Sequence, residues 1–264
     1  MAESVPAAER WASELAAWAI PDHIMAQAPE SPWEFSPALF RPPVEPTPDT
    51  PSRLRAREAL PEGGSVLDVG CGGGAAGLAL VPPAGRVTGF DQSRELLDLF
   101  VAWAAEIGVA HETVQGSWPD DAAGVGPADV VVCHHVAYNV ADLGAFAAAL
   151  TAHARNRVVM ELSSTHPRHG LNDLWRHFWD VDRPEGPTAD DAVELLTDAG
   201  LEVSVERSPR VSRSIPEQAR VASVRKYLCL PAERDPEIAA LLADCPVVGE
   251  TVTLWWEGAA QSAV

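Results

Sequence analysis

The sequence predicts an α/β protein built on one doubly wound, seven-stranded sheet with helices on both faces. Two observations carry that expectation. Short apolar runs rich in valine recur along the chain, and segments of helical spacing separate them, which is the βαβ rhythm of a parallel sheet. One of these runs, "SVLDVGCGGG", ends in a glycine-dense turn, the type that opens a ligand site at the C-terminal edge of such a sheet. At 264 residues, 47% of them hydrophobic and 22% charged, the chain is long and apolar enough to bury a substantial core.

The elements follow in order. Residues 4–20 carry Trp11, Leu15 and Trp18 on one helical face, and Pro21 ends the pattern. From Pro29 to Pro51, eight prolines surround Trp33, Phe35 and Phe40, too many for a regular element and too aromatic a setting for a plain linker. A helix over 52–60 leads to strands near 65–69, 87–90, 110–114, 129–133 and 157–162, with helices between them at 75–81, 93–107 and 142–154. A helix at 188–199 precedes a strand at 201–206. Residues 215–245 read as helical, broken by Pro231 and Pro236, and "ETVTLWWEG", Glu250 to Gly258, is the last strand. The expected organisation is an N-terminal helical and proline-rich segment, 1–60, ahead of an α/β domain, 61–264, with helical insertions near 163–187 and 215–245. Those three additions are placed to form a helical cap over the strand ends.

Composition narrows the partners. A net charge of −19 repels phosphate backbones and anionic bilayers, which disfavours nucleic acid and membrane surfaces. Cys71, Cys133, Cys229 and Cys245 are scattered with no CxxC pair, the usage of a reducing compartment. The N-terminus has no basic region, and its longest apolar run, Leu15 to Ile20, is too short for a signal peptide or membrane span. The expected location is the cytoplasm.

Glycine turns of this kind hold dinucleotides, nucleoside triphosphates or sulfonium nucleosides. Gly70 permits a sharp exit from the strand, and Gly72 removes a side chain where a ligand must approach the backbone. Read as G-x-G-x-x-A, the turn also fits the dinucleotide fingerprint, with Asp91 at the distance expected of a ribose contact. No Lys-Ser/Thr pair follows, so a P-loop is excluded. Asp68, two residues before the first glycine, suits a ligand with an ammonium group better than a pyrophosphate. The chain's one lysine is Lys226, and Tyr138 has no lysine four residues on, so the Tyr/Lys pair of many nicotinamide reductases is absent.

"VLDVGCGGG", "VTGFDQS" and "ADVVVCHHVAYNVADL", in that order, resemble the glycine, acid and fourth-strand motifs of the class I S-adenosylmethionine-dependent methyltransferases. The resemblance covers about residues 60 to 206. It implies six parallel strands plus an antiparallel last strand, S-adenosylmethionine as cofactor, and near silence about the acceptor. It also implies that Asp68 and the backbone of Gly70, Cys71 and Gly72 surround the methionine part. Asp91 would accept from both ribose hydroxyls, and Gln92 would lie against the adenine. Where the family often places an acid next to a glycine after the third strand, Gly116 is followed by Ser117 and Trp118; backbone groups or Asp120 would substitute. His134 and His135 would reach the cofactor's methyl end.

A small-molecule acceptor is the expected substrate, with Trp33, Phe35, His166 and Trp175 as candidate chamber residues. For an oxygen acceptor a base must remove a proton, and His134, His135 and Tyr138 are the candidates. Adjacent strand residues point to opposite faces, so only one of the two histidines can face the chamber. His166 and His169 form an HxxH, but Pro167 argues for a loop and no third ligand is evident, so no metal site is expected. Arg207, Arg210, Arg213, Arg220, Arg225 and Lys226 form a basic run that an RNA methyltransferase would use and that a solvated helix face would equally explain. A non-catalytic, cofactor-binding relative is the other alternative.

Overall fold

The computed structural model describes residues 5–33, 49–210, 216–243 and 249–259. Phe35, Phe40, Arg213 and Cys245 lie outside them. Seven strands, β1 (Ser65–Val69), β2 (Arg86–Asp91), β3 (Ala110–Gln115), β4 (Ala128–His134), β5 (Ala154–Ser163), β6 (Ser204–Pro209) and β7 (Glu250–Glu257), form one sheet in the order β3-β2-β1-β4-β5-β7-β6. β7 runs antiparallel between β5 and β6, and the pairs from β3 to β5 are parallel. The chain reverses direction across the sheet between β1 and β4, the position where doubly wound sheets open a crevice at the strand ends.

Helices cover both faces because the central strands are apolar on both sides. Val66, Val130, Val132 and Val159 face a cluster with Ala56 of α3 (Pro51–Ala59) and Leu97, Phe100 and Ala104 of α4 (Arg94–Ile107). Leu67, Val131, Val158 and Met160 face Phe146 and Leu150 of α5 (Leu143–His153) and Leu195 and Leu196 of α7 (Ala189–Asp198). Ends are set locally: Thr50, Ser93, Asp142 and Thr188 cap these four helices with side-chain oxygens.

α1 (Ala7–Ala16) belongs to the second of those clusters: Trp11 is fully buried in it, and its indole N–H donates to Val140 O at 2.8 Å. A third apolar cluster joins α2 (Asp22–Met25), α6 (Asn172–Trp179), α8 (Glu217–Tyr227) and α9 (Asp235–Ala243), through Ile24, Trp175, Tyr227 and Ile238. No helix among the described residues is long and apolar enough to cross a membrane.

Three local expectations are corrected. The span 75–81 is not an α-helix but a run of turns ending in a 3₁₀ turn at Leu78–Leu80; Gly74 at φ 90° breaks the helical path before it, and Pro82 and Pro83 lack the donors to continue one. β6 begins at Ser204 rather than 201, after Gly200 at φ 90° and a turn that closes Leu201 N onto Leu196 O. Pro236 does not break a helix; it sits in the first turn of α9, where a missing N–H costs nothing.

Candidate active site

The crevice is framed by the exits of β1, β2, β3 and β4. β1 delivers Asp68 and the glycine turn. Asp68 is buried beneath that turn: Oδ2 accepts from Gly77 N at 2.7 Å, and Oδ1 has no hydrogen-bond partner. Burial, reinforced by the nearby charge of Asp91 and opposed by the Gly77 N–H, raises its carboxyl to about 7. Cys71 turns its thiol inward toward Gly89 and Phe100, where burial pushes it up, so only its backbone faces the turn.

Gly70 is left-handed at φ 69°, and a Cβ there would collide with Val136 Cγ2. The loop after β4 is therefore seated directly on the glycine turn. Asp91, at the end of β2, ties the turn from the other side, with Oδ2 accepting from Gly72 N and Oδ1 from Ser93 N, each at 2.8 Å. Gln92 is exposed, and its carbonyl accepts from the Gln115 amide at 3.0 Å.

After β3, Gly116 N donates to Asp91 O at 3.1 Å and Ser117 N to Asp121 Oδ2 at 2.8 Å. The acid beside Gly116 is thus Asp121 rather than Asp120; a Cβ on Gly116 would meet its side chain at 2.7 Å. Trp118 turns toward the core, edge-on to Phe90 at 5.3 Å and to His153 at 4.8 Å.

The two histidines diverge. His134 Nε2 is buried without a partner, and burial holds its pKa down against the pull of Glu161. His135 is left-handed at φ 60°, held there by its N–H donating to Glu161 O at 2.7 Å. Its imidazole is 54% exposed, with Nε2 3.1 Å from Glu161 Oε1. Tyr138 does not join them: it is buried against Trp11, its hydroxyl donates to Ser163 O at 2.8 Å, and burial raises its pKa further from neutrality.

Glu161, on β5 and across from His134, is the residue sequence reasoning missed. It is buried, and Oε2 accepts from Ser52 Oγ of α3 at 2.5 Å. Burial alone would raise it, but the two histidines and Ser52 outweigh that and hold it at about 2. The available signal was an acid ending an apolar strand, "VVMELSS", the same pattern that marked Asp68 and Asp91.

The chamber candidates separate as well. Trp33 is exposed, with the Arg168 guanidinium over its ring at 5.6 Å. Trp175 is fully buried, edge-on to Tyr227 at 5.5 Å, and so anchors the third cluster rather than lining a chamber. His166 is buried, stacked on Trp18 at 3.9 Å; burial, with Arg168 and Arg183 nearby, lowers its pKa to about 3. In the basic run, Arg207 pairs with Asp190, Arg225 with Glu30 and Asp235, and Lys226 with Glu30.

This donor set fits the cofactor implied by the sequence motifs. The glycine turn leaves its backbone bare, Asp68 keeps a buried oxygen unpaired for a cationic group, and Asp91 holds a carboxylate beside the turn.

A family model described as "Methyltransferase domain" matches residues 47–205, more than half of the chain. Ubiquinone biosynthesis O-methyltransferase of Vibrio parahaemolyticus is 37% identical over 81 residues, 30% of this chain and 34% of that protein. An uncharacterized protein of Haemophilus influenzae is 34% identical over 110 residues, 41% of this chain and 40% of its own length. The chain thus spans well under half the length of these curated relatives. Among solved structures, the YcgJ protein of Bacillus subtilis has a TM-score of 0.54 at 16% identity, covering 78% of this chain and 97% of that one. Magnesium protoporphyrin IX methyltransferase from Synechocystis, with bound SAH, has a TM-score of 0.50 at 19% identity, covering 78% of each chain. At these identities the likeness is one of fold.

Proposed function

The chain belongs to the family of S-adenosylmethionine-dependent methyltransferases, and on that premise we propose that it methylates a hydroxyl group of a small molecule, with His135 as the base. One observation carries this reading: Val136 sits on Gly70, which brings the exposed His135 to the rim of the glycine turn with Glu161 behind it. Bound S-adenosylmethionine supplies a methyl group on a positively charged sulfur, already strongly electrophilic. The protein's part is alignment, exclusion of water and removal of one proton. With the cofactor bound, His135 would take the acceptor's hydroxyl proton on its ring as that oxygen receives the methyl group. Asp91 and the turn would hold the nucleoside, and Asp68 would serve its cationic end. We assign the third cluster, which includes α2, to covering the acceptor.

Two facts favour a small hydroxylated acceptor. The described cations of the basic run that would meet RNA are largely engaged with carboxylates. The curated relative from Vibrio is named as an O-methyltransferase. The test is transfer of isotopically labelled methyl from S-adenosylmethionine to a panel of small phenols and hydroxy acids. We expect label on at least one, and His135→Ala to lower turnover by about 10²- to 10⁴-fold with cofactor affinity kept. Near-parental turnover in His135→Ala would end the base assignment. Tight cofactor binding with no label on any panel member would favour a non-catalytic relative.

A further inference from the structure

Glu161 lies at the end of an ordered chain of polar groups that crosses from α3 to the sheet. Arg53 N–H can only donate, and it donates to Thr50 Oγ1 at 3.3 Å. Thr50 Oγ1 lies 2.8 Å from Ser52 Oγ, and Ser52 Oγ donates to Glu161 Oε2 at 2.5 Å. Because Ser52 spends its one proton on Glu161, it must accept from Thr50, which spends its own proton on Ser52. The sequence of donors therefore runs one way, and it ends on a carboxylate. Glu161 Oε1 then faces His135 Nε2 at 3.1 Å. Two lone pairs cannot face each other at that separation against a buried carboxylate without a large cost, so Nε2 is the nitrogen that carries hydrogen.

We propose that Glu161, held by Ser52 and the first turn of α3, is the positioning residue of His135, fixing its Nε2–H tautomer so that Nδ1 presents the lone pair to the acceptor. The inference rests on His135 being the acceptor's base. The geometry supports it independently. Nδ1 makes no hydrogen bond among the described residues, and a second tie from His135 N to Glu161 O fixes the backbone of the same residue. His134 occupies the facing position on β4, yet its Nε2 is buried and meets no partner, so Glu161 serves the exposed ring. An acid at this point reaches the base from outside the cofactor motifs: it comes from β5, and its own partner comes from the helix that precedes β1.

The test uses the full chain, labelled with ¹⁵N-histidine and saturated with S-adenosylhomocysteine, read by long-range ¹H–¹⁵N correlation. The parent should show His135 as the Nε2–H tautomer at a pH where the ring is neutral. Glu161→Gln, whose amide can donate as well as accept, should mix the two tautomers. With the acceptor returned by the labelled-methyl panel, it should lower turnover by about 10²-fold while cofactor affinity changes less than 2-fold. Glu161→Asp should restore the parental tautomer and part of the turnover. Ser52→Ala, a milder change should Glu161→Gln fold poorly, should give a smaller mixing in the same direction. An Nδ1–H tautomer in the parent, or an unchanged tautomer in both Glu161→Gln and Ser52→Ala, overturns the positioning role. Tautomer mixing in Glu161→Gln together with full turnover in His135→Ala would instead overturn the base assignment on which the role depends.

Discussion

Asp68 and Glu161 are both buried carboxylates, yet their surroundings drive them in opposite directions. Asp68 has one backbone donor and Asp91 as a neighbour, and it rises from 3.8 to about 7. Glu161 has Ser52 and two histidines, and it falls from 4.5 to about 2. The consequences for stability have opposite signs. Between about 4 and 7 the folded protein keeps a proton on Asp68 that the unfolded chain has lost, so this group's stabilisation is full below 4 and disappears as pH rises toward 7. Glu161 stabilises the fold above about 4.5, and that contribution disappears as pH falls toward 2. Each is worth on the order of a few kcal/mol at most. Urea melts of ligand-free protein across pH 2–8 check this. Asp68→Asn, which keeps an acceptor for Gly77 N–H, should remove the decline between 4 and 7; parallel curves for parent and variant over that interval would refute the assignment.

At the scale of elements, the glycine turn is a contact between two loops as well as a ligand cradle. Gly70→Ala must place a methyl where Val136 stands, in a backbone conformation that alanine resists. We expect it to cost more than 1 kcal/mol and to displace the His135 loop, weakening S-adenosylhomocysteine binding and turnover together. Denaturant melts and calorimetry read both effects. The double variant Gly70→Ala/Val136→Ala, which frees the space, should recover part of the binding. α1 gives a second expectation. The sequence places α1 in an N-terminal segment, 1–60, expected to cap the strand ends, but Trp11 is fully buried in the main core. Trp11→Ala should therefore lower global stability by about 3–5 kcal/mol, measured by urea unfolding. A variant that melts like the parent would show that α1 caps the strand ends without contributing to the core.

Over the whole molecule, what could be read from the sequence was what lies close together along it. β1, its turn and β2 are consecutive, so the spacing of Asp68, Gly70, Gly72 and Asp91 announces a ligand site, the resemblance of the motifs implies which ligand, and the alternation of strands announces the sheet. Glu161 and Ser52 are 109 residues apart and meet only because α3 packs across β5. No local pattern joins them. Trp175 and His166 looked like chamber walls because aromatic and imidazole side chains near a strand end carry no mark of whether the fold will bury them. Calorimetry distinguishes the ligand classes that the turn could hold. S-adenosylhomocysteine should bind the parent at one site, NADPH should give no heat, and Asp91→Ala should weaken S-adenosylhomocysteine by roughly 10- to 100-fold, the loss of a charge-assisted contact. Binding of NADPH without S-adenosylhomocysteine would overturn the ligand class, and parental affinity in Asp91→Ala would overturn the ribose assignment of that carboxylate.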